Sequence, residues 1–150
     1  MRNLLRKWLN RSAEPPFTIT QIVPERVEIL PESVTAAKWW GDLLREPSEH
    51  PSGEFFGQRP PTPTPEQVTV FETSLSELIS EELARHGRDV GIVVLTSDYH
   101  PLPGLSDALA QAGIRDTYGI FPRWATMTVQ DGTVRAKMGI NQEYQDIPVQ

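Results

Sequence analysis

Asp98 and His100 are the two residues of this chain best placed to do chemistry together. They follow its most apolar run, Val90 to Leu95, in the stretch SDYHP, with Ser97 and Tyr99 beside them. In an extended segment, side chains two apart share a face, so a carboxylate and an imidazole here could serve as acid and base or share a metal ion. Open α/β sheets gather ligands beyond the carboxyl ends of their strands, which is where this cluster falls. The simpler expectation is structural: Asp98 caps the following turn, Tyr99 packs or binds, and His100 leads into Pro101 on the surface. A metal hydrolase would need more ligands than three histidines, His50, His86 and His100, readily supply.

Two further groups of residues carry recognition chemistry. Arg123, Trp124, Arg135 and Lys137 concentrate cationic and aromatic side chains near the C-terminal hairpin and could meet phosphates or an acidic protein surface. Phe55 and Phe56 stand alone in the proline- and glycine-rich segment 47–63, so they must anchor in the domain or in a partner. Glu49, His50 and Glu54 lie in the same loop at spacing too loose to specify a metal.

The elements that must position these residues follow from periodicity and caps. Residues 1–14 read as a basic amphipathic arm, with Leu4, Leu5, Trp8 and Leu9 on one face of a short helix and cations on the other. Residues 1–11 could lie on an anionic membrane, although covering the protein's own core is the simpler expectation. After Pro15-Pro16, a single domain over 15–150 is expected. Phe17 to Val23 and Arg26 to Leu30 read as two short strands or one bent at Pro24.

Val34, Ala37, Trp40 and Leu44 recur at helical spacing and end before Pro47, with Trp39 and Leu43 widening the apolar stripe. Thr64-Pro65-Glu66-Gln67 is a capping box with proline at the first helical position. The helix it starts buries Val68, Phe71, Leu75, Leu78, Ile79 and Leu83 and closes at Gly87, with Glu81 and Arg85 as an i, i+4 pair. Arg88 to Ser97 is then expected as a central strand, because Ile92 to Leu95 is apolar without alternation. A short helix over Leu105 to Ala112, closed by Gly113 and Ile114, follows. Asp131-Gly132 marks a two-residue hairpin that sets Gln130 opposite Thr133. The same register places Ala125, Met127 and Val129 with Met138, Ala136 and Val134 on one face. In the tail, Ile140, Tyr144 and Ile147 are candidate anchors.

These elements predict an α+β domain: a mostly antiparallel sheet of four to five strands, two main helices and a short third helix. The chain has no cysteine, which removes thiolate chemistry and disulfides and fits a reducing compartment such as the cytoplasm. Its net charge is -6, and with the four cations of residues 1–11 set aside the remainder is -10. So acidic a body disfavours general nucleic-acid binding. No phosphate-binding glycine loop and no metalloprotease or serine-hydrolase signature occurs. The expected function is protein–protein binding by a small acidic accessory protein of inhibitor or immunity type, such as mobile elements encode. No cofactor or metal is expected. A small hydrolase or metal-dependent enzyme using Asp98 and His100 is the alternative, and a nucleic-acid contact through the hairpin's basic face is the second.

Overall fold

A computed structural model describes residues 27–46 and 61–150. The arm, the Phe17 to Val23 strand expectation and the Phe55-Phe56 loop lie outside the described residues.

Helix α1 spans Pro31–Arg45 and α2 spans Pro65–His86. Thr64 begins α2 as its spacing requires: its hydroxyl accepts from the Gln67 N–H at 3.2 Å, and its own N–H donates to Gln67 Oε1 at 3.0 Å. Both otherwise orphaned donors are satisfied. The two helices pack through the apolar stripes read from the sequence, with Ala37, Trp40 and Leu44 of α1 and Phe71, Leu75, Ile79 and Leu83 of α2 all buried. Gly41 sits at the crossing, where a Cβ would collide with the Glu72 side chain. Its absence lets Glu72 lie across α1 and pair with Arg45. Val34 departs from expectation: it is half-exposed, because Ser33 and Ala37 set the inward edge of the stripe. Arg85 also departs, pairing with Glu82 at 2.7 Å one turn back rather than with Glu81, and His86 shares the same carboxylate.

Four strands form one antiparallel sheet in the order β1-β2-β3-β4: β1 Val93–Ser97, β2 Ala125–Gln130, β3 Thr133–Met138 and β4 Gln145–Ile147. The hairpin has the predicted register, from Gln130↔Thr133 to Ala125↔Met138, with Gly132 at φ 67 in the turn. Turn chemistry and hydrophobic alternation both demanded that pairing. Met138 is the exception on its inner face, exposed where the sheet runs out.

Two expectations about the sheet are corrected. First, Val90 to Thr96 is not a doubly covered central strand. β1 starts at Val93 and lies at the sheet's edge, with Val90, Ile92 and Val94 exposed by 78%, 54% and 57%. Second, residues 27–30 form no strand. The Leu30 N–H instead donates to Ser80 Oγ at 3.2 Å, tying the entry of α1 to the side of α2. The fourth strand comes from the C-terminal tail, where Val134 pairs with Ile147.

The helices cover one face of the sheet over Leu95, Met127, Val129, Val134 and Ala136, all buried. A short helix α3, Leu105–Gln111, closes the end beside β1. It terminates as predicted, with Gly113 at φ 73, Gly113 N–H donating to Ala110 and Ile114 N–H to Leu109. The chain between α3 and β2 is pinned by Phe121. Its ring meets Trp40 edge-on at 4.9 Å and lies 6.0 Å from Phe71, so a loop residue completes the core between α1 and α2.

Candidate functional site

Phe121 sinks into the core and thereby fixes its neighbours. Pro122 follows it and is buried, and the Pro122 carbonyl accepts from the Ala125 N–H at 3.3 Å, making a tight turn into β2. Trp124 is third in that turn, at φ 59, and is the only non-glycine with positive φ among the described residues. Turns with positive φ at this position call for glycine or asparagine. A tryptophan there holds its backbone against a cost of about 1–2 kcal/mol. The surroundings hold it in place: its carbonyl accepts from the Gly139 N–H at the far end of β3.

The strained turn aims two side chains at the loop that leaves β1. Arg123 lies with its guanidinium carbon 3.7 Å from the Trp124 ring centre and 4.1 Å from that of Tyr99. Tyr99 in turn stacks parallel to Tyr118 at 5.9 Å, and the His100 ring meets Tyr118 edge-on at 5.1 Å. The result is one continuous stack of His100, Tyr118, Tyr99, Arg123 and Trp124. Backbone bonds lock its base: Gly119 N–H donates to the Tyr99 carbonyl at 2.9 Å, and Asp98 N–H to the His100 carbonyl at 3.3 Å. Each cation–π contact contributes about 0.5–1 kcal/mol at a half-exposed site.

Asp98 joins this stack through Arg123. Its carboxylate accepts from Arg123 Nε at 3.3 Å, while His100 engages the Tyr118 ring. The structure therefore gives the two residues different partners. Among the described residues no group of three or more His, Asp or Glu is arranged to hold a metal ion. Ser97 is buried, and its hydroxyl donates to the Asp98 carbonyl at 3.3 Å.

The expected basic patch divides in two. Arg123 and Trp124 join the stack, whereas Arg135 and Lys137 gather on the outer sheet face around Tyr144, 5.8 and 4.9 Å from its ring centre. Arg135 also pairs with Asp146 at 3.1 Å. The sequence expectations do not include Tyr118, Phe121 or a strand at residues 145–147. The run Tyr118-Gly119-Ile120-Phe121-Pro122, apolar and aromatic between a capped helix and a hairpin, was the available signal. Of the tail anchors, Tyr144 and Ile147 are half-buried and Ile140 is exposed.

No family model matches the chain, and no curated protein does. Among solved structures it is similar to the BTG/Tob domain of C. elegans FOG-3, at 12% sequence identity and a TM-score of 0.48, over 79% of this chain and 81% of that one. No helix among the described residues is long and apolar enough to cross a membrane.

Proposed function

We propose that this chain is a protein-binding module, acting as a small accessory or inhibitory partner, and that the stack of Tyr118, Tyr99, Arg123 and Trp124 is its contact surface. The observation that carries this reading is Trp124 at φ 59. A tryptophan in a strained turn whose ring is still partly exposed costs backbone energy that glycine would not, and we read its ring as kept for a contact. Tyrosine, arginine and tryptophan are the residues that most often dominate binding energy at interfaces, because they present large, stiff, amphipathic surfaces. Here they are pre-stacked, which lowers the entropy lost on docking.

The remaining features are consistent with a protein partner over a nucleic acid. Phosphate contact requires free cations, and Arg123 and Arg135 each already hold a carboxylate. The carboxylate of Asp98 is likewise engaged, by Arg123 at 3.3 Å. Affinity capture from cells of the source organism tests the reading with the wild type, Arg123→Ala and Tyr99→Ala. The expected result is a specific partner recovered by the wild type and lost with both variants while their far-UV circular dichroism is unchanged. Equal recovery by all three proteins, or binding that instead follows Phe55 and Phe56 when those are replaced by alanine, would remove the stack from the account.

A further inference from the structure

The turn that carries Trp124 holds strain that no hydrogen bond of its central peptide secures. The Ala125 N–H closes it by donating to the Pro122 carbonyl at 3.3 Å. Trp124 stands at φ 59 and Arg123 at negative φ. Of the regular β-turns with this closing bond, only type II combines those signs. A type I turn closes with the same bond and differs by a half-rotation of the central peptide, which returns the third residue to negative φ. The peptide between Arg123 and Trp124 has room in its bonding for that rotation: among the described residues, neither the Arg123 carbonyl nor the Trp124 N–H has a hydrogen-bond partner. The bond from Gly139 N–H to the Trp124 carbonyl fixes where the turn sits, and it lies beyond the rotating peptide. Tryptophan gains from the rotation, because positive φ crowds its Cβ against the backbone.

The stack is what opposes the rotation. The Arg123 guanidinium lies between the Trp124 and Tyr99 rings, 3.7 and 4.1 Å from their centres, and its Nε reaches Asp98 at 3.3 Å. Two cation–π contacts at a partly exposed site together match the cost of holding one residue in the left-handed region.

We propose that this turn is a conformational switch: the stack holds the Arg123–Trp124 peptide in its strained orientation, and withdrawal of Arg123 from between the rings releases it to type I. Rotation re-aims the bonds by which both side chains leave the backbone, so the contact of guanidinium and indole belongs to the strained orientation. It also reverses the Arg123 carbonyl and the Trp124 N–H, exchanging the acceptor and the donor that the turn presents. The region therefore has two surfaces, one with rings and cation aligned and one without. The switch does not depend on the stack being a contact surface; on that reading, only the strained state docks.

Nuclear magnetic resonance of the full-length protein, with no partner added, tests the switch. The Hα of residue 123 is close to the N–H of residue 124 in type II and far from it in type I, so the nuclear Overhauser effect between them reads the peptide's orientation. A strong effect is expected in the wild type. In Arg123→Ala it should fall by about fivefold or more. Combining Arg123→Ala with Trp124→Gly should restore it, since glycine adopts positive φ without strain. Trp124→Gly alone should keep it. Tyr99→Leu removes only the other ring contact; it should give an intermediate value and decides the question if Arg123→Ala does not fold. An effect undiminished in Arg123→Ala would overturn the proposal. So would a weak one in the double variant, which would show that strain does not drive the rotation, or a weak one in the wild type.

Discussion

Trp124 sets the terms at the scale of single residues. Replacing it with glycine releases about 1–2 kcal/mol of backbone cost. It also forfeits one cation–π contact and the packing of a partly exposed ring, of about the same size. Trp124→Gly is therefore expected to change unfolding free energy by less than about 1 kcal/mol in urea titration. Glu32 presents the opposite case. Its carboxylate is buried near the start of α1, one oxygen has no hydrogen-bond donor, and Arg88 reaches it only at 3.7 Å while also holding Asp131 at 2.8 Å. Removing the cation strands a buried charge, whereas neutralising the carboxylate does not. Arg88→Ala should cost about 1–2 kcal/mol, below the range for fully buried pairs because Arg88 is half-exposed. The same substitution should cost clearly less in a Glu32→Gln background. Equal losses in the two backgrounds would show that the pair is not coupled.

At the scale of elements, legibility followed the range of the interactions. α2 and the β2–β3 hairpin were readable because their signals are local. A capping box needs four consecutive residues, a two-residue turn needs Asp131-Gly132, and both had apolar patterns in phase with them. Thr64→Ala removes one side of that box and is expected to lower stability by about 1 kcal/mol with no change in denaturant slope. A loss below about 0.3 kcal/mol would mean that Pro65 alone suffices to start the helix.

β1 misled because an apolar run reports hydrophobicity and not what covers it. Val90, Ile92 and Val94 are exposed since, among the described residues, β2 is the only strand that pairs with β1. The segment at residues 27–30 alternates like a strand, yet Ser80, fifty residues away, takes the Leu30 N–H. β4 has three residues and no alternation to reveal it. The candidate site was half legible: Asp98, Tyr99, His100, Arg123 and Trp124 were all singled out. Their union was not legible, because Arg123 meets Asp98 across twenty-five residues and Tyr118 has no periodic signal at all.

For the whole molecule, Phe121 couples core and site. Its ring belongs to the packing of Trp40 and Phe71, and its backbone belongs to the loop that presents Tyr118 on one side and Arg123-Trp124 on the other. Phe121→Ala is expected to cost about 3–5 kcal/mol, as buried aromatic truncations do. It should also loosen the stack, read as a weakened, broadened NMR signal of the assigned Trp124 indole N–H under conditions where the variant is still folded. Phe121→Leu should keep most of the stability and most of that signal. The net charge of -10 outside the first eleven residues adds a general preference for basic partners, which salt weakens.

On the proposed function, Trp124 is retained for a partner and not for the fold. The most direct test measures the affinity of the captured partner for the wild type and for Trp124→Gly by calorimetry, beside the thermal midpoints of both proteins. A loss of about thirtyfold in affinity, some 2 kcal/mol, with midpoints within a few degrees, is the predicted result. Unchanged affinity, or a loss of affinity matched by a collapse in thermal midpoint, would contradict it.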